Sequence, residues 1–262
     1  MSSRTSLKWK RAGLATLFVA GLAFLAPPAF ADDAATKQKV EERLRKAKLE
    51  TQGEVDVDVT NGLVTLTGAV ATVDAQRDAE KAALEESKMV DNRIKVLPEK
   101  RSDVEIRKAV RDTVLRYAYY SVFDDIEYAV EDGSVLLRGS VYRPNRRTDI
   151  DNLVAKIPGV REVQNEIDVQ PASFFDDQLR RELVRAIYGR LSQYAVQPNP
   201  PIHIIVNRGK VTLTGYVNSQ VDQALLGVMA RETLAFDVTN QVKVEGQPSA
   251  EDRKPEPRAD SQ

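Results

Sequence analysis

Cysteine is absent from all 262 residues. Each folded part must therefore stand on its core without disulfides, and no thiolate is available to a metal ion or as a nucleophile. Histidine is nearly absent as well, with His203 the only one. One imidazole without thiols leaves little for a zinc site, which needs several clustered ligands. A catalytic histidine also needs an oriented partner, and none is evident beside this one. Strong charge of one sign is missing too, since the formal net charge is -1. Nucleic-acid-binding domains usually carry a marked basic excess, so that class is disfavoured.

Long apolar runs are scarce. AGLATLFVAGLAFLA, residues 12–26, is the longest, and its fifteen residues fall short of the roughly twenty that span a bilayer. It follows MSSRTSLKWKR, which has four basic residues and no acid, and it precedes PPAFA, where Ala29 and Ala31 flank Phe30. These are the three parts of a Sec-type secretory signal peptide, residues 1–31, with cleavage expected after Ala31. The lone Lys10-Arg11 excludes a twin-arginine signal. No cysteine follows the run to take a lipid. Without those four basic residues, 34 of the 38 remain against 39 acidic ones, a net charge near -5. The expected location is the periplasm, with no transmembrane span left after cleavage. At the other end, GQPSAEDRKPEPRADSQ, residues 246–262, is too polar to bury a core and reads as a disordered tail.

What the chain has in abundance is repetition. NGLVTLTGAV begins at Asn61, DGSVLLRGSV at Asp132 and RGKVTLTGYV at Arg208. Anchored on Gly62, Gly133 and Gly209, the copies share a second glycine six residues on: Gly68, Gly139 and Gly215. About thirty residues after the first glycine comes V-x-N-x-[IV]-x-V, centred on Asn92, Asn165 and Asn240. An alternating run precedes each first glycine: VDVDV, IEYAV and IHIIV. Amphipathic helical stretches precede those, with Val40, Leu44 and Ala47 on one face, then Ile106, Val110 and Tyr117, then Leu179, Leu183 and Ile187.

Each unit therefore reads helix, strand, strand, helix, strand, an α+β arrangement. The Asn-Gly and Asp-Gly pairs tolerate the positive φ angles of tight hairpins, and Arg208-Gly209 is a weaker form of the same turn. Alternation places Val64, Leu66, Gly68 and Val70 on one sheet face. A single apolar face suits a small three-stranded mixed sheet with both helices packed on one side. The second glycine falls on that inward face, where it lets a helix approach or the strand bend. The expected units are 35–97, 102–170 and 174–245. Their short linkers, LPEKRS and QPAS, imply contact between neighbours.

The G-x-V-x-L-x-G-x-V phrase with the late V-x-N-x-[IV]-x-V strand resembles the BON domain, here in three tandem copies. The second copy matches best, because IPGV at 157–160 also fits the approach to the last strand, where ESKMV and TLAFDV differ. The family occurs in osmotically inducible periplasmic proteins, in envelope lipoproteins, and as an accessory module of channels and secretins. The resemblance implies a non-enzymatic periplasmic module, without cofactor, that associates with phospholipid or with envelope partners.

Little in the chain carries chemistry. His203 threads level with Asp56 and Glu127 on the outward sheet face, where a solvated residue is expected. Glu54, Asp56 and Asp58 lack the loop spacing of a calcium site. The glycines lack the strand-to-helix context and Lys-Ser/Thr ending of a phosphate loop. The three asparagines are expected to satisfy backbone groups. Differences between copies are more informative. With Ala79, Ile150 and Leu226 aligned as core positions of the second helix, Asp78 and Asp149 become Leu225, while Lys81 and Asn152 become Val228. Leu225 and Val228 share one helix face. That face is expected to pack between units or to meet a membrane or partner. Arg143, Arg146 and Arg147 are a second candidate contact, for anionic phospholipid. YAYYSVF, residues 117–123, is expected to close the core between helix and strand, or to anchor at a membrane interface. The functions this supports are a peripheral envelope protein that binds anionic phospholipid and supports envelope integrity under osmotic or related stress, or an adaptor for an envelope transport or secretion complex.

Overall fold

A computed structural model describes residues 28–49, 52–197 and 199–246. Residues 1–27 of the expected signal peptide, and the expected tail beyond Gly246, lie outside the described residues. Helix α1 runs Pro28–Lys46, so the expected cleavage point after Ala31 falls in its first turn.

The first unit continues with β1 (Gly53–Thr60), β2 (Leu63–Val70), α2 (Val73–Leu84), β3 (Met89–Asn92) and β4 (Lys95–Val96). The second comprises α3 (Asp103–Arg116), β5 (Asp125–Glu131), β6 (Ser134–Val141), α4 (Pro144–Ala155), β7 (Glu162–Asn165) and β8 (Asp168–Val169). The third comprises α5 (Phe174–Arg190), β9 (Ile202–Asn207), β10 (Lys210–Val217), α6 (Gln220–Arg231), β11 (Asp237–Asn240) and β12 (Lys243–Val244). In each, the hairpin's second strand is central. The first strand flanks it antiparallel, and the last, in two short pieces, flanks it parallel. The sheets are mixed and three-stranded in plan, with helices over one face.

The period-two pattern is why the core lies where it does. Val64, Leu66 and Val70 are buried, as are Val135, Leu137 and Val141, and Val211, Leu213 and Val217. The first helices supply Val40 and Leu44, Ile106 and Val110, and Leu179, Leu183 and Ile187. Ala47 lies in an exposed turn beyond α1 instead of on its buried face, and Leu49 fills that part of the core. Ser and Thr caps start four of the helices by accepting a backbone N–H three residues on: Thr72, Ser102, Ser173 and Ser219.

The hairpin turns have two successive left-handed residues each: Asn61 and Gly62, Asp132 and Gly133, Arg208 and Gly209. Of the two causes expected for the second glycines, a helix approach or a bend of the strand, the structure shows a close approach to the neighbouring strand. Gly68, Gly139 and Gly215 have φ of +114°, +106° and +100°, and a Cβ there would lie about 2 Å from the adjacent strand's carbonyl, that of Glu54, Asp125 or Pro201. The nearest obstacle to a side chain is thus the neighbouring strand's backbone and not a helix.

Neighbouring units touch in two different ways. Units one and two meet helix to helix: Arg77 on α2 pairs with Asp151 on α4 at 2.6 Å, and Val73 is buried against the second unit's core. Units two and three meet through the 117–123 segment. Tyr117 and Tyr120 pack on the second core, which fits half of the expectation, but Phe123 packs on the third core. The Val122 carbonyl accepts from Ile204 N at 2.7 Å, covering edge strand β9.

Candidate functional site

Each hairpin turn is held by a carboxylate from the helix that starts its unit. Asp33 accepts from Asn61 N and Gly62 N, both at 2.8 Å. Asp103 accepts from Asp132 N and Gly133 N at 2.9 and 3.0 Å. Asp176, fully buried, accepts from Arg208 N and Gly209 N at 2.9 and 2.7 Å. Two converging N–H groups leave little room for a neutral acceptor, which explains an acid in all three copies. These residues escape a sequence search because the distance from acid to turn varies with loop length. Asp33 also lies ahead of the boundary expected at 35. The asparagines tie strand to helix: Asn165 Oδ1 accepts from Ile167 N at 3.1 Å, and its Nδ2 donates to Arg147 O at 3.1 Å. Asn92 and Asn240 make the matching bonds, to Ile94 N and Gln76 O, and to Val242 N and Gln223 O.

The structure does not present the three arginines as one basic face. Arg146 turns inward and pairs with Asp124, whose carboxylate is fully buried and also accepts from Ser121 N and Tyr142 N. An arginine committed to a buried acid is unavailable to lipid, which removes Arg146 from the expected contact. Arg143 lies over the Tyr142 ring at 4.5 Å, and Arg147 donates to Asn165 O; both are exposed.

Leu225 and Val228 also separate. Leu225 is half-buried against its own core, whereas Val228 is 50% exposed. Helix α6 packs on α5 and its own sheet. Its outer face shows Val221, Ala224 and Val228, where α2 has Asp74, Arg77 and Lys81.

His203 is on the outward face, directly opposite Thr214, but it is not solvated. The second unit covers it, with the Tyr120 ring 5.6 Å away. Burial pushes its pKa down from the ordinary 6.5, against the opposing pull of Asp125 and Asp124. The unfolded chain then binds a proton more readily than the folded one, so stability is lost as pH falls below about 6.5. Thermal unfolding followed from pH 7.5 to 5 is expected to show this slope, and His203→Gln is expected to flatten it.

Between the second and third units sits Arg180, 2% exposed. It donates to Asp177 at 2.6 Å, to Gln170 Oε1 at 2.9 Å and to Val206 O at 2.6 Å, with its guanidinium 4.7 Å over the Tyr142 ring. Asp177 also accepts from the Tyr142 hydroxyl at 3.2 Å. The start of α5 is thereby fixed against the second unit.

Just before Asp177, α5 begins with an aromatic pair. Phe175 stacks on Phe236 at 5.2 Å, and the Phe236 ring lies over Gly209 in the hairpin turn. Phe174, Phe236 and Leu234 are 82%, 77% and 69% exposed. This apolar end of the third unit is bordered by exposed Arg208, Lys210 and Arg231, with Glu232 and Asp237 among them. Arg143 stands nearby, through the Tyr142–Asp177 contact. Phe174 and Phe236 fall outside the repeated pattern, and only their exposure singles them out.

Among the described residues, no helix is long and apolar enough to cross a membrane, and no group of three or more acidic or histidine side chains could hold a metal ion.

A family model described as the BON domain matches residues 32–98, 102–171 and 178–246. No curated protein matches the chain. Among solved structures, the C-terminal domain of CdsD, a structural protein of the type III secretion system of Chlamydia trachomatis, is similar at 16% identity. It covers 80% of this chain and 96% of its own, with a TM-score of 0.24. The periplasmic domain of the type III secretion inner-membrane protein PrgH from S. typhimurium is similar at 14% identity, covering 77% of this chain and 100% of its own, with a TM-score of 0.20. Likenesses this loose carry no argument about arrangement or partners.

Proposed function

The chain belongs to the BON-domain family, with three tandem copies, and from that premise we propose that it is a non-enzymatic periplasmic protein that docks peripherally on anionic phospholipid. Its role on this reading is to support envelope integrity under osmotic or related stress. The observation that carries the reading is the exposed apolar end of the third unit, Phe174, Leu234 and Phe236, bordered by Arg208, Lys210 and Arg231 with Glu232 and Asp237 among them. Exposed aromatic and aliphatic side chains gain roughly 1.5–3 kcal/mol each when fully buried in an apolar phase. Nearby lysines and arginines add about 1 kcal/mol each at an anionic surface. Arg143, over the Tyr142 ring, extends the basic border, and Arg146 does not.

Cosedimentation with phosphatidylglycerol vesicles at low salt tests this. Phe174→Glu alters a side chain that is mostly in solvent, so the fold is expected to survive. It is expected to weaken vesicle association about tenfold, a loss near 1.4 kcal/mol. Absence of vesicle binding by the unaltered protein, or full binding by Phe174→Glu, would overturn the reading.

A second reading, an adaptor for an envelope transport or secretion complex, has its own support. The face that α2 uses against α4 is apolar in α6 and, among the described residues, has no helix packed on it, so it suits a protein partner. An adaptor of this kind would ignore vesicles and lose its partner on Val228→Lys.

A further inference from the structure

Helix α6 is where the third copy departs most from the other two. With the core residues Ala79, Ile150 and Leu226 aligned, three outer positions read Asp74, Arg77 and Lys81 in α2 and Asn145, Thr148 and Asn152 in α4. In α6 they are Val221, Ala224 and Val228, all exposed, the valines at 74% and 50%. The first unit shows what this face of the fold does. On α2 it docks the neighbouring unit's helix: Arg77 pairs with Asp151 of α4, and Asp74 stands 3.9 Å from Lys156. On α4 the same face is polar and exposed. On α6 it is apolar, and among the described residues no helix packs on it.

The replaced residues say what the occupant is. A helix that met α6 as α4 meets α2 would bring the charges of Asp151 and Lys156 against Val221 and Ala224, with nothing to pair them. The occupant must present an apolar seam of its own. Val221, Ala224 and Val228 lie at i, i+3 and i+7, the spacing of a seam between two paired helices. Turned about a two-fold axis, that seam fits itself. Val221 of one copy falls beside Val228 of the other, and the small Ala224 sits at the crossing, where it lets the helix axes come close. Glu232, exposed and just past the end of α6, then comes opposite the first turn of the other copy's α6, where an acid is favoured.

We propose that this face of α6 pairs antiparallel with the same face of a second copy, giving a two-fold dimer. The proposal rests on the same open face as the adaptor reading and names its occupant. One two-turn seam is small beside the roughly 1,200 Å² at which stable specific interfaces begin. The dimer is therefore weak, with a Kd on the order of 50 µM.

Sedimentation equilibrium of the purified protein, from about 5 to 500 µM, is the test, and a monomer–dimer equilibrium is the expected result. Ala224→Arg and Val228→Lys each install the residue that α2 carries at that place, so the fold accepts them. Both are expected to weaken the dimer at least tenfold and leave the melting temperature unchanged. The chain has no cysteine, so Ala224→Cys supplies a single thiol near the two-fold axis. A short bismaleimide is expected to join two copies of that variant, and to leave Thr148→Cys, at the equivalent place on α4, monomeric. A monomer at every concentration, or a dimer untouched by both substitutions, would overturn the proposal. Association that continues past the dimer would also overturn it, because a two-fold contact closes on itself. The adaptor reading fails separately, when Val228→Lys loses no protein partner. Phe174→Glu is expected to lose vesicle binding and keep the dimer, since Phe174 lies on α5.

Discussion

Asp176→Ala is expected to destabilise the third unit by about 3 kcal/mol or more, the cost of leaving buried amides without a charged acceptor. The carboxylate has no exposure and accepts from both Arg208 N and Gly209 N. Removing it strands the Gly209 N–H in a buried residue, at a turn where Arg208 already holds a left-handed φ of 51°. Arginine lacks the short polar side chain that lets asparagine and aspartate occupy that region more readily, so this turn depends on its clamp more than the other two. Hydrogen exchange should show β9 and β10 losing protection while β1 and β2 keep theirs. The corresponding Asp33→Ala is expected to do less, because the Asn61 amide is exposed and water can replace the carboxylate. Equal losses in the two variants would contradict the explanation.

Gly139→Ala is expected to unfold the second unit, at a cost of about 4 kcal/mol or more. An added Cβ would lie 2.1 Å from the Asp125 carbonyl oxygen, on a backbone with φ of +106°. Both obstacles are backbone, so no rotamer change relieves them. The internal control has the opposite sign. Gly189 lies within α5, and a Cβ there would meet nothing within 4 Å. Gly189→Ala is therefore expected to raise stability by roughly 0.5–1 kcal/mol through helix propensity. Chemical denaturation of the two variants side by side separates a glycine required by geometry from one that is not.

These glycines also show where sequence reading succeeds and where it stops. Their recurrence fixed the three copies in register, and the alternation around them identified the inward faces, because strand periodicity is local. The reason for the second glycine was not local: it is a carbonyl on the partner strand. The same division separates the site residues. Asn92, Asn165 and Asn240 sit inside a repeated V-x-N-x-[IV]-x-V motif and could be found. Asp33, Asp103 and Asp176 do the same work in each copy, but at spacings that drift with the loops. Arg146 sits in an apparently solvated basic cluster, and its burial depends on Asp124, far away in sequence. Strand alternation puts His203 on the outward face, yet the cover over that face comes from the preceding unit. Phe174 and Phe236 lie outside the repeated pattern, and only their exposure in the folded chain singles them out.

The central claim, that the apolar end of the third unit is the membrane contact, is tested most directly by paramagnetic relaxation from spin-labelled phosphatidylglycerol nanodiscs. The account predicts the strongest line broadening at Phe174, Leu234, Phe236 and Lys210, weaker effects at Arg143, and none on the hairpin of the first unit. Broadening centred on Val221 and Val228 instead, or spread evenly over the three units, would contradict it.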